Sequence, residues 1–340
     1  MPSIFSTKRD WCYYRNLTIA TILALLIGGY FGFSLFEANR RMHPARFPIG
    51  SISPADLGLD YTDITLSTRD GLTLQSWYVP STNDAAVILV HAFNGNRTGT
   101  IYHAALLAEH GYGVLLYDTR AQGESEGDLY AWGWDAHWDV IAGLDYLQHR
   151  PEVDPERIGV LGLSAGAAIA IRAAAETGEI SAVVAEGSGW PTLEDWLITA
   201  EPVDAIWVPE IWVMYKWVEV VTGIWNPMPV SQAVSRIAPT PLLLIAAGED
   251  RAFARACFDA ASEPKTFWNR DEPGHIDALF THPDEYERRV IGFLDQALLQ
   301  DNLPGAASQS GVSRAAHPIA GADLAIKGGW RVRLGLWSSF

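Results

Sequence analysis

Gly162-Leu163-Ser164-Ala165-Gly166 sets a serine among small residues, directly after the apolar run Ile158–Leu163 and ahead of an alanine-rich stretch. A serine hydroxyl becomes an accessible nucleophile when a sharp strand-to-helix turn lifts it clear of its own backbone, and such a turn admits only small neighbours. The start of a helix also favours the negative charge that develops when a carbonyl is attacked. Ser164 is therefore the expected nucleophile. The developing oxyanion needs two amide donors, one from the residue after the serine and one from the loop after an earlier strand. The first is the Ala165 N–H. The second is expected from Phe93, in the loop His91-Ala92-Phe93-Asn94-Gly95-Asn96 that follows the apolar run Ala86–Val90. His91 is read as organising that loop through its own hydrogen bonds rather than as the base.

The remaining partners should follow the serine in the order acid, then histidine. His275 lies in Pro273-Gly274-His275-Ile276-Asp277, a turn-rich segment ahead of the last helical stretch, and is the expected base. The acid should follow the run Leu242–Ala246, where Ala247-Gly248-Glu249-Asp250-Arg251 offers two carboxylates. Asp250 is the expected acid, with Glu249, nearer the strand, as the alternative. Together these residues describe acyl transfer: His275 takes the Ser164 proton, the amides hold the oxyanion, and water releases the acyl group. That chemistry needs no metal and no organic cofactor. Cys12 and Cys257 are the only cysteines and lack metal-ligand spacing or a partner framework.

These residues need a scaffold, and residues 61–300 are patterned to supply one. Buried-type runs at Ala86–Val90, Gly113–Tyr117, Ile158–Leu163, Ala182–Ala185 and Leu242–Ala246 alternate with helical stretches at Thr100–His110, Asp135–Gln148, Ala165–Thr177 and Pro283–Leu299. With the leading pair Ile64–Ser67 and Leu72–Val79 and a shorter run at Lys265–Asn269, this predicts an α/β fold on a mostly parallel eight-stranded sheet flanked by helices. Asp70-Gly71 supplies turn chemistry between the leading pair. Residues 190–235 interrupt the alternation and hold six of the 14 tryptophans. They are expected to form a small helical cap. Its segment from Ile206 to Val218 is apolar on nearly every face, which suits an acyl pocket, a membrane-dipping surface, or simple aromatic glue.

Leu17 to Phe36 is 20 residues without a charge, long enough to cross a bilayer as a helix. The sequence that follows, Phe36-Glu37-Ala38-Asn39-Arg40, makes a poor cleavage site, so a single-pass anchor is expected rather than a signal peptide. Residues 1–16 flank it and 37–60 are expected to link it to the domain. Lys8, Arg9 and Arg15 before the run balance Arg40, Arg41 and Arg46 after it. The free α-amine tips the expectation toward an extracytoplasmic domain. Residues 301–340, rich in Gly, Ala and Ser, are expected to be a disordered tail. The net charge is −16, and the 47–300 body alone carries 14 basic against 36 acidic residues. Such a body repels phosphate backbones, so nucleic acid is excluded as a partner and a small-molecule ester is expected. No oligomeric state follows from the sequence.

Residues 61–299 resemble the α/β-hydrolase superfamily, and more narrowly the often membrane-anchored hydrolases of the Bem46-like and dienelactone-hydrolase-like groups. The resemblance rests on Asp70–Trp77 (DGLTLQSW), His91–Asn96 (HAFNGN), Tyr117–Gly127 (YDTRAQGESEG) and Gly162–Gly166 (GLSAG). It implies a serine hydrolase acting on carboxylic esters or thioesters, with Asp118, Arg120, Gly123 and Ser125 in a structural loop beside the site. A prolyl-oligopeptidase-like peptidase, or an inactive hydrolase fold used for binding, are the alternatives. Two positions depart from the pattern: Ala92 stands where glycine is usual, and Asp250 is two residues after Gly248 rather than three.

Overall fold

The structure, a computed structural model, describes residues 8–300. The expected tail at 301–340 lies outside the described residues. The chain opens with helix α1 (Lys8–Met42), then enters the hairpin β1 (Thr62–Ser67) and β2 (Thr73–Val79). Strand β3 (Ala86–Val90), helix α2 (Ile101–Glu109), β4 (Gly113–Tyr117), α3 (His137–Gln148), β5 (Ile158–Leu163), α4 (Ala165–Thr177) and β6 (Ala182–Glu186) follow. Between β6 and β7 (Leu242–Ala246) lie α5 (Leu193–Thr199), α6 (Val208–Thr222) and α7 (Val230–Ala233). The chain continues through α8 (Asp250–Ala260), β8 (Lys265–Asn269), α9 (Ala278–Thr281) and α10 (Pro283–Leu294).

The eight strands form one sheet in the order β1-β2-β4-β3-β5-β6-β7-β8. Pairing is antiparallel for β1–β2 and β2–β4 and parallel from β4 through to β8. The parallel strands β3, β4, β5, β6 and β7 are buried at every position, as runs covered by helices on both faces must be. Alternate residues feed two cores. Ile88, Val90, Ile158 and Val160 pack with α3, α4 and α8; Val87, Leu89, Leu161 and Leu163 pack with α2 and α10.

Four details differ from the sequence expectation. Helix α1 does not stop at Phe36 but runs to Met42, so the linker begins later. The Glu37–Arg40 pair and the fully buried Ala38 and Met42 carry the helix through its charged turn. Only Leu193–Thr222 stands off as cap helices; Val230, Ala233, Val234 and Ile237 join the core beside α4 and α8. The segment after β7 is a helix beginning at Asp250, a stretch not among the expected helices. The last helix ends in a π turn over Asp295–Leu299.

Candidate active site

The turn at Ser164 has the geometry its motif demands. Ser164 adopts φ 55° and ψ −117°, a conformation strained for any residue with a side chain, and its amide is held by the Glu186 carbonyl at 2.8 Å. A β-carbon on Gly162 would strike the Gly166 carbonyl, and one on Gly166 would strike the Val90 carbonyl. The two flanking glycines are thus fixed by backbone contact, which also brings the loop after β3 against the start of α4.

His275 bridges the site. Its Nε2 accepts from the Ser164 hydroxyl at 3.0 Å, and its Nδ1 donates to Asp250 Oδ2 at 2.7 Å. Three side chains from separate parts of the chain therefore form one hydrogen-bonded row. Asp250 is the first residue of α8, and its side chain turns toward the sheet end. Glu249, one residue earlier, is exposed and takes no part in the row. Burial pulls the His275 pKa down, but the hydrogen bond and charge of Asp250, with the charges of Glu186 and Asp277, outweigh it and leave the imidazole above its ordinary value.

The loop after β3 is organised by His91. This buried imidazole donates from Nδ1 to the Ala92 carbonyl at 2.7 Å and accepts at Nε2 from the Thr119 amide at 3.0 Å. Burial pushes its pKa down, which keeps it neutral and preserves this tautomer. Phe93, in the same loop, packs against Tyr130 with ring centroids 4.9 Å apart and planes tilted by 30°. Among the described residues, neither the Phe93 nor the Ala165 amide is engaged in a turn or side-chain hydrogen bond. The Asp118–Ser125 loop is a structural brace. Asp118 accepts from the Arg97 amide and guanidinium, both at 2.6 Å, and from the Glu124 amide at 2.9 Å. Buried Arg120 is held by Asp139, Asp70 and Asp135.

Two residues beside the row were not anticipated. Gly187 has φ +64°, and a β-carbon there would lie 2.8 Å from Ile276 Cγ2 and 3.2 Å from both His275 Cε1 and Asp250 Oδ2. Glu186, at the end of β6, is buried and accepts from the Ala278 amide at 3.0 Å, pinning the segment just after His275. Burial raises its pKa to about 7. A sequence signal for the pair existed: an acidic residue and a glycine closing an otherwise apolar strand.

The cap is fastened by aromatic groups. Tyr215 packs on Trp132 and Trp134 at 4.6 and 6.2 Å, and its hydroxyl donates to the Trp190 carbonyl at 2.7 Å. The Trp134 indole donates to the Pro191 carbonyl, also at 2.7 Å. Part of the cap's aromatic content is therefore glue, while Trp212 and Trp225 stay exposed.

The family profile described as X-Pro dipeptidyl-peptidase (S15 family) matches residues 59–274. An uncharacterized protein of Mycobacterium tuberculosis is 30% identical over 290 residues, covering 82% of this chain and 92% of that one. A thiohydrolase, AneE, of Aspergillus aculeatus is 35% identical over 119 residues, 34% of this chain and 37% of its own. Among solved structures, the Pyrococcus furiosus esterase Pf2001 superposes with a TM-score of 0.61 at 27% identity, over 76% of this chain and 99% of that one.

Proposed function

Since the chain belongs to the X-Pro dipeptidyl-peptidase (S15) family of α/β hydrolases and is a serine hydrolase, we propose that it cleaves carboxylic esters or thioesters of uncharged or hydrophobic acids through an acyl-enzyme on Ser164. The row Asp250–His275–Ser164 carries this reading. His275 Nε2 removes the hydroxyl proton as Ser164 Oγ attacks the acyl carbon. Asp250 holds the Nδ1–H tautomer and steadies the imidazolium. The amides of Phe93 and Ala165 receive the oxyanion. Collapse expels the alcohol or thiol, protonated by His275, and water repeats the sequence to free the acid.

An esterase and a thiohydrolase among the similar proteins support ester and thioester substrates. The name of the matching family supports a second reading, cleavage of peptides. A fluorophosphonate probe should label the wild type and not Ser164→Ala; a folded wild type left unlabelled would sink the mechanism. Rates on p-nitrophenyl esters and peptide anilides, measured side by side, separate the two readings, and activity on anilides alone would reverse our choice.

The reading extends to α1, the one helix among the described residues long and apolar enough to cross a membrane. We take it as an uncleaved single-pass anchor with the catalytic domain on the extracytoplasmic side. Its continuity through Met42, and the burial of Ser34, Ala38 and Met42 on the domain, support retention, because cleavage after Phe36 would remove the Ser34 contact and cut the helix that holds the other two in place.

A further inference from the structure

Helices α1 and α6 lie side by side and run in the same direction. Near one end the Tyr30 hydroxyl donates to the Ile206 carbonyl at 3.3 Å. Twelve residues along each chain segment, Met42 packs with Val218 in an apolar cluster that also holds Tyr215 and Trp217. This register relates each level of the cap to a level of α1. The uncharged run ends at Phe36, and Glu37, Arg40 and Arg41 mark where water or headgroups must begin. Tyr30 lies six residues inside that end, about 9 Å along an α-helix. Ile206 therefore sits about 9 Å on the apolar side of the boundary, within the depth at which amphipathic segments rest in a bilayer interface.

The cap surface at that level is apolar and uncovered. Val203 and Ile206, on the turn Pro202–Ile206, are 74% and 62% exposed, and Trp212 on α6 is 50% exposed. By the register, Trp212 stands nearer the level of the charged turn, where tryptophan is favoured at membrane interfaces. We propose that the cap tip, the turn Pro202–Ile206 with the start of α6, is seated in the headgroup–acyl boundary of the bilayer beside α1. The proposal rests on α1 being a membrane anchor. Lipid is the occupant because the register sets these side chains below the end of the apolar run. Glu201 and Asp204 share the turn, and Asp204 accepts from the Glu201 amide. They keep the insertion shallow and make a zwitterionic bilayer the better host than an anionic one.

The test uses the full chain with Cys12→Ser, reconstituted in phosphatidylcholine vesicles; Cys257 is buried. A nitroxide is attached in turn at Val203→Cys, Ile206→Cys, Leu23→Cys in the middle of the anchor, and Asp145→Cys on the exposed face of α3. Oxygen, which concentrates in lipid, and a water-soluble nickel chelate compete to relax the label. The expected result is that 203 and 206 relax with oxygen and are shielded from nickel, as at 23, with the reverse at 145. If 23 reads as lipid while 203 and 206 behave like 145, the cap proposal is overturned and the anchor stands. Shielding of 203 and 206 from both reagents would overturn it in favour of a second copy of the chain. An aqueous reading at 23 overturns the anchor, and the cap proposal falls with it.

Discussion

The imidazole of His275 stands between opposing influences, since burial disfavours its charge while Asp250 favours it, and the carboxylate prevails. Catalysis by the proposed route needs the neutral ring. Activity should therefore rise with pH through a midpoint above the ordinary histidine value near 6.5. Replacing Asp250 with Asn removes the charge that raises the midpoint. The acidic limb should move to lower pH, and kcat should drop by about 10⁴-fold through the loss of the productive tautomer. A pH–rate profile of both proteins measures this; an unmoved limb would show that Asp250 does not act on His275. Glu186 poses a different question. Its carboxyl binds its proton more tightly in the folded chain, at about 7, than at the ordinary value of 4.5. Its stabilising contribution is thus complete below about 4.5 and is lost as the pH rises through 7. The loss is on the order of 3 kcal/mol. Glu186→Gln should hold its stability level between about pH 4.5 and 7, where the wild type declines before levelling off, as chemical denaturation across pH 4 to 9 would reveal.

At the scale of elements, the site depends on three sheet-end turns meeting. The turn after β5 presents Ser164, the helix α8 after β7 presents Asp250, and the segment after β8 presents His275. Gly187, after β6, fills the space between them and has room for nothing larger. A β-carbon there would push on Ile276 and crowd His275 and Asp250 while straining the backbone at positive φ. Gly187→Ala should leave the fold intact and lower kcat by about 10²-fold, with KM little changed, because a small displacement of the base is enough to spoil alignment. Equal losses in kcat and thermal stability would instead mark Gly187 as a purely structural residue.

Across the whole molecule, helix α1, the proposed anchor, is a packing partner of the catalytic domain. Met42 is fully buried against Ala131, Trp134 and Val218, and Arg46 next to it donates to the Ser125 and Gly127 carbonyls of the brace loop. Met42→Ala should cost roughly 2–5 kcal/mol in the full-length protein in detergent, the usual range for emptying such a site. No change in unfolding midpoint would mean that α1 is merely attached. The same packing places α1 and the cap in one apolar cluster. Apart from Glu210 and the Lys216–Glu219 pair, helix α6 is apolar on several faces: α1 and Trp134 cover one side, while Trp212 and Val220 stay exposed on another.

The amino-acid sequence by itself determined whatever depends on neighbours along the chain. The turn at Gly162 is one such feature, because its steric demand falls within five residues, whereas Gly166 answers to Val90 on a neighbouring strand; the fully apolar strands, the 20-residue uncharged run and the order of serine, acid and histidine are others. Choosing between Glu249 and Asp250 was beyond that reach. Adjacent residues at a helix start point in different directions, and only the docking of α8 against β7 decides which one meets His275. The roles of Gly187 and Glu186 were hidden for the same reason, since they come from a segment some 90 residues away. The three uses open to the cap's aromatic residues were divided by tertiary packing. Tyr215 and Trp217 are covered by α1 and the Trp132–Trp134 segment, whereas Val203, Ile206 and Trp212 stay half or more exposed.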